Sequence, residues 1–302
     1  MHKVRYNSVD LELKITPRSP LLIKAGGLSP NPSLPDMQFV RTSMSGKGEV
    51  IYIPGSSFKG LLRDFCEKIL KTAKNKDICQ GSCNLFQKGQ SCSDLLENVE
   101  KKEKRELTSY EIYKNSCRAC KVFGNTKLKG RISVLDAYPS DAKEIKTETR
   151  HGVAISRLSH AVATGPFGME VVIEGEFSTK IRLENFEVWQ MGLLALALKG
   201  FNEGTIRIGF GKNRGFGEIS ALVSKIEFVV VTNSPKNEIW GIGKFLSDSD
   251  RGDYGINAND FCSVEILGKE TKDVFYTRRS YPPESWSTLS QVFIDHLKGV
   301  LQ

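Results

Sequence analysis

Periodic segments follow one another along this chain in the order β-α-β-β-α-β, which predicts an α+β fold of the ferredoxin-like, split βαβ kind. Three observations carry that prediction. A strand with strict period-two alternation stands near the start, two helical stretches have apolar faces or apolar composition, and β-branched runs fill the remaining places. Such a sheet leaves one face open, and in RNA-recognition modules of this layout that face receives bases.

The elements come in order. Val9, Leu11, Leu13 and Ile15 alternate with Asp10, Glu12 and Lys14, the pattern of a half-buried strand. Ser56 and Ser57 are placed to cap a helix in which Phe58, Leu61, Leu62, Phe65 and Ile69 share one face. Residues 131–138 and 169–177 read as the second and third strands. Residues 185–199, rich in Leu and Ala, read as the second helix, and 218–231 close the core with strand character. Insertions at 26–50, 76–125 and 140–168 interrupt the pattern. Loops of that length inside a domain are usually functional or disordered. The core domain is therefore drawn at 1–231, with 232–302 as a C-terminal extension. The extension ends in an amphipathic helix, and its apolar Trp286, Leu289, Val292, Phe293, Leu297 and Val300 are expected to pack on the main domain, with a neighbouring subunit as the second candidate surface.

Composition narrows the partner. The 302 residues carry a net charge of +8 and a pI near 9.0, a balance that favours an acidic partner, nucleic acid first. The longest apolar run, 191–198, is far too short to span a bilayer. The expectation is a cytoplasmic protein with no membrane partner.

The run Gly209-Phe210-Gly211-Lys212-Asn213-Arg214-Gly215-Phe216-Gly217 suits a phosphate, because its glycines let the backbone come close and two cations flank them. A strand-like segment follows it. A nucleotide-cofactor loop requires a helix there, so a phosphodiester backbone is the better guest. Ser56, Ser57, Lys59 and Arg63 offer a second phosphate site at a helix N-terminus, with Lys59 and Arg63 four positions apart.

Five cysteines, Cys79, Cys83, Cys92, Cys117 and Cys120, fall within 42 positions. Cys117 and Cys120 form a C-x-x-C pair, and Cys79 and Cys83 a C-x₃-C pair. Such knuckles hold tetrahedral zinc. The charged 100–106 segment between them cannot build a core, so a structural zinc would stabilise the insertion. Four ligands suffice: Cys83, Cys92, Cys117 and Cys120 are the expected set, and Cys79 is the fifth thiol. Cys66 and Cys262 read as small core residues.

These motifs together resemble one family. Ile53-Pro54-Gly55-Ser56-Ser57-Phe58-Lys59-Gly60-Leu61-Leu62-Arg63 is similar to the "IPGSSxKGxxR" segment of the RAMP superfamily of CRISPR proteins. Gly209–Gly217 resembles that family's C-terminal glycine-rich loop, Cys117–Gly124 its "CxxCxxFG" segment, and 148–172 its thumb hairpin. The resemblance covers about 9–231. It implies a backbone subunit of a type III effector that stacks with copies of itself and other CRISPR effector subunits along a guide RNA. The thumb would splay a complementary target RNA, with Arg157 against the displaced nucleotides. Guide contacts then fall to Ser56, Ser57, Lys59 and Arg63 and to Gly209, Gly211, Lys212, Arg214 and Gly215. Asp36, five residues before Arg41, stands where the family's catalytic aspartate stands, although Gln38 replaces a proline of that stretch. It would cut the target with magnesium or another divalent metal. A metal-independent cutter would need histidine, and His151 and His160 lie in the thumb. The rival expectations are a scaffold that does not cut and a guide-processing endoribonuclease of the same superfamily.

Overall fold

Val9, Leu11, Leu13 and Ile15 are all at most 1% exposed, and the strand they define lies inside an antiparallel sheet. The computed structural model describes residues 3–26, 34–46, 48–73, 81–231 and 234–302. That first strand is β1 (Asn7–Pro17). A hairpin of β2 (Arg41–Met44) and β3 (Gly48–Ile51) leads to helix α1 (Gly55–Thr72). The cysteine-rich segment holds α2 (Cys92–Glu103), α3 (Ser109–Lys114) and α4 (Arg118–Phe123). Then come β4 (Ile132–Val134), β5 (Tyr138–Pro139), a long hairpin of β6 (Lys146–Ile155) and β7 (Val162–Glu174), β8 (Phe177–Glu184), α5 (Val188–Asn202) and β9 (Ile219–Val230). The C-terminal part contributes β10 (Glu238–Trp240), α6 (Asp248–Tyr254), β11 (Phe261–Ser263), β12 (Lys269–Lys272), β13 (Thr277–Tyr281) and α7 (Trp286–Leu301).

The main sheet runs β12-β13-β9-β1-β8-β4, with β5 also pairing β8. Its inner strands, β9-β1-β8-β4, are the fourth, first, third and second strands of the core, the arrangement of a ferredoxin-like fold. Helices α1 and α5 cover one face. Phe58, Leu62, Cys66 and Leu70 recur every four residues along the buried side of α1, and Phe58 stacks on Phe201 of α5 with ring centroids 4.9 Å apart. Helix α5 is buried nearly all round because α7 packs on its outer side through Leu289, Phe293 and Leu297. Each such side chain contributes about 1.5–3 kcal/mol of apolar burial.

Two expectations need correction. Ser56 and Ser57 do not cap α1: the helix begins at Gly55 after Pro54, no side chain caps it, and the Gly55 N–H donates to Asp136 Oδ1 at 2.7 Å. The third core strand is Phe177–Glu184, not 169–177. Met169, Val171 and Val172 are buried and strand-like, but they form the base of the β6–β7 hairpin, where β7 bridges Leu21 and Met37. The C-terminal segment adds to the main sheet, where β13 pairs with β9 from Thr277 opposite Val230 to Tyr281 opposite Ile226. The open sheet face carries a charge ladder: Asp10 with Lys180 and Arg182 at 2.7 and 2.6 Å, Glu12 with Lys225 at 3.5 Å, and Glu227 with Arg278 at 3.2 Å. Tyr138 of β5 lines a cleft on this face with Glu12, Lys14, Ser178 and Lys180, and stacks on Tyr52. The residues that β1, β8 and β9 turn to this face include no aromatic.

Candidate nucleic-acid interface and metal centre

The glycine loop has the backbone its sequence asks for. Gly209, Gly211, Gly215 and Gly217 all have φ between +71° and +84°, where other residues are strained. Two of them are also crowded: a Cβ on Gly209 would strike the Leu22 carbonyl, and one on Gly217 the Ile208 carbonyl. Lys212 and Arg214 occupy a 3₁₀ turn between the glycines with exposed side chains. Lys212 also lines a cleft of about 370 Å³ together with Lys68 of α1 and Arg207.

A larger cleft, of about 550 Å³, opens at the start of α1. Ser56, Lys59, Lys129, Arg131, Ser133 and Arg182 stand around it. Lys59 Nζ donates to the Ile132 carbonyl at 3.0 Å. Burial pushes its ammonium pKa down, and Arg63 adds to that effect. Ser57 is half-buried in the first turn. Arg63 lies differently from Lys59: its guanidinium donates to Glu67 at 2.7 Å, to the Gly124 carbonyl at 3.2 Å and to Cys120 Sγ at 3.8 Å. The two cations share a helix, but Arg63 is engaged at the cysteines. Lys129 and Arg131 escaped the sequence reading, although the basic 127–131 stretch was a visible signal. Arg182 carried no such signal, because its place at the cleft depends on the pairing of β8 with β1 and β4.

Asp36 is exposed, and its Oδ2 accepts the Gly168 N–H at 2.7 Å. Met37 pairs with Met169 in parallel register, so the loop lies along the edge of β7 as a short added strand. Arg41 anchors its far end by a two-pronged ion pair with Glu170, which also accepts the Phe39 N–H at 3.1 Å. The structure thus brings Asp36 to the base of the β6–β7 hairpin. Arg157 and His160 are exposed in the turn of that hairpin, and His151 is exposed on β6 opposite Gly168. The hairpin also touches the glycine loop, with the Arg150 guanidinium 5.7 Å from the centroid of the Phe216 ring.

Cys83, Cys92, Cys117 and Cys120 form one buried group whose ligand atoms all lie within 4.8 Å of one another. Cys79 lies outside the described residues. Helix α4 supplies the knuckle, with Cys117 as its N-cap accepting the Cys120 N–H at 3.4 Å. The Cys83 and Cys120 sulfurs are 3.8 Å apart, close to the edge of a tetrahedron with Zn–S bonds of about 2.3 Å. Hydrogen bonding with Cys117 holds the Cys83 thiol below its ordinary range and pushes Cys92 above it. Four thiolates this close need a cation, so the donor set fits a tetrahedral metal such as zinc. Among the described residues it is the one group of three or more His, Cys, Asp or Glu side chains with that geometry. No described helix is long and apolar enough to cross a membrane.

No curated protein matches the chain. The family model of the RAMP superfamily matches residues 14–220, a span that runs from β1 through the cysteine group and the hairpin to the glycine loop and the start of β9. That span is more than half of the chain and contains every motif described above, so this chain belongs to the RAMP superfamily, the CRISPR-associated RNA-binding proteins.

Proposed function

We propose that the protein is a guide-RNA-binding backbone subunit of a type III CRISPR effector and that it cuts complementary target RNA beside its β6–β7 hairpin. The observation that carries this reading is the position of Asp36. An exposed carboxylate is held at the foot of a protruding hairpin by the Gly168 amide. A hairpin that splays the target strand would free one nucleotide for in-line geometry, which stacked A-form RNA lacks. Asp36 would accept the 2′-hydroxyl proton. It is also the residue that would hold a divalent ion such as Mg²⁺, whose chemistry is to stabilise charge on the phosphate. The guide would follow Ser56 and Lys59 at the α1 cleft and the Lys212–Arg214 turn, in contact with neighbouring copies and other effector subunits. The four cysteines would hold a structural zinc that shapes the insertion beside α1.

The test is single-turnover cleavage of a complementary RNA by the guide-loaded assembly with Mg²⁺. Asp36→Asn keeps an oxygen for the Gly168 N–H but removes the carboxylate. Regularly spaced cuts should slow by at least about 100-fold while guide affinity stays unchanged. One observation favours a second reading, a scaffold that does not cut: the same hydrogen bond also suits Asp36 to a purely loop-holding role. That reading wins if native assembly binds target and leaves it whole.

A second prediction concerns the glycine loop. Changing Lys212 and Arg214 to Ala should lower the salt dependence of guide binding, by roughly 0.7 in log–log slope per lost phosphate contact. An unchanged slope would remove these residues from the RNA path.

A further inference from the structure

The geometry points to His151 as the general acid that works opposite Asp36 in RNA cleavage. This deepens the cutting function proposed above and rests on it. His151 of β6 is paired with Gly168 of β7. The Gly168 carbonyl accepts the Met37 N–H at 3.0 Å and its N–H goes to Asp36, so the polar groups of Gly168 point away from β6. His151 and Gly168 are therefore a non-hydrogen-bonded pair, the closer kind, with Cα atoms about 4.5 Å apart.

Cross-strand partners share a face. Arg150, Gly152, Phe167 and Met169 belong to the side turned to the protein: Arg150 meets Phe216, and a Cβ on Gly152 would meet Phe167 and Met169. Thr149, His151, Gly168 and Glu170 belong to the other side. Met37 packs with Met169 on the inner side, so Asp36, one residue earlier, rises on the same side as His151. Asp36, Gly168 and His151 thus stand in a row across three adjacent strands. With strands about 4.8 Å apart, the outer two Cα atoms are about 9–10 Å apart. Gly168 offers no side chain between them, and Pro35 packs over it, 3.4 Å from where a Cβ would stand. A carboxylate and an imidazole, both on exposed residues, stand on either side of Gly168 and the Pro35 that covers it.

The chemistry of that pair balances. The target 2′-oxygen bonds to phosphorus and its proton passes to Asp36. The bond from phosphorus to the 5′-oxygen breaks, and that oxygen takes the imidazolium proton of His151. The products are a 2′,3′-cyclic phosphate and a 5′-hydroxyl. Solvent returns both side chains to their starting states.

A leaving-group test decides the matter. The guide-loaded assembly is given target RNA with oxygen or with sulfur at the scissile 5′-bridging position, since a thiolate leaves without a proton. His151→Ala should cut the oxygen substrate at least about 100-fold more slowly than native protein and the sulfur substrate at the native rate, with guide binding unchanged. His151→Gln, which keeps bulk and polarity, should behave in the same way. Equal slowing on both substrates, or none on either, would overturn the assignment. If native protein cuts neither substrate, the cutting function itself fails and the role of His151 falls with it.

Discussion

Cys117→Ser is expected to remove the metal from the cysteine group and to loosen the whole 81–125 segment. The expectation follows from how little else holds that segment. Helix α2 buries only Cys92 and Leu96, and its remaining surface is largely charged. Cys117 has three duties: it belongs to the four-sulfur group, it caps α4, and its backbone N–H donates to Cys92 Sγ at 3.2 Å. In small zinc domains the metal supplies apparent folding energy of about 10–16 kcal/mol. Here the sheet and α1 have their own core, so the loss should be local. Native protein should purify with about one zinc per chain and keep limited proteolysis away from 81–125, whereas the variant should lose the metal and be nicked there. A strong zinc chelator added to native protein should reproduce the nicking. The loss should also reach α1, because Arg63 is held at Cys120 and Gly124. A metal-free native protein that resists proteolysis at 81–125 would show that thiol packing alone maintains the group.

Gly217→Ala should be the most damaging single change in the glycine-rich loop, and Gly215→Ala one of the mildest. Both glycines have φ near +80°, where a side chain costs about 1–2 kcal/mol. They differ in surroundings. A Cβ on Gly217 would enter the Ile208 carbonyl, at a place where Ile208 N–H also donates to the Gly217 carbonyl at 2.8 Å. Nothing lies within 4 Å of a Cβ on Gly215. The Gly217 change must shift backbone next to the first residue of β9 or break that pairing, and a total loss of about 3 kcal/mol or more follows from adding a buried hydrogen bond to the φ term. Urea denaturation midpoints should separate the two variants clearly, with Gly215→Ala within about 1–2 kcal/mol of native. Equal midpoints would mean that the loop relaxes freely and that its glycines matter only to a ligand.

Much of this architecture was legible because it is local. The alternation in β1, the four-residue recurrence in α1 and the loop glycines each declare themselves within a dozen positions. The cysteines were legible for a chemical reason: in a basic chain without disulfide context, thiols at knuckle spacing have few other uses, and the expected set of four proved to be the set that meets. The third strand was misread for an equally physical reason. Met169, Val171 and Val172 are buried where the hairpin base crosses Leu21, and burial produces the same apolar pattern whether the partner is the main sheet or a neighbouring segment. Ser56 and Ser57 were misread because residue type suggests a cap, while the first amide of α1 already donates to the Asp136 carboxylate.

The sequence by itself determined the order of elements, the family, the cysteines that meet and the loop that needs positive φ, since each depends on neighbours along the chain. Only the tertiary structure decided which cations stay exposed. Lys212 and Arg214 do, whereas Arg63 turns to Cys120 and Arg182 to Asp10. It alone set Asp36 and His151 on either side of Gly168, though they lie far apart in the chain. Those pairings come from strand register and from contacts over long sequence separations, and local periodicity carries no record of either.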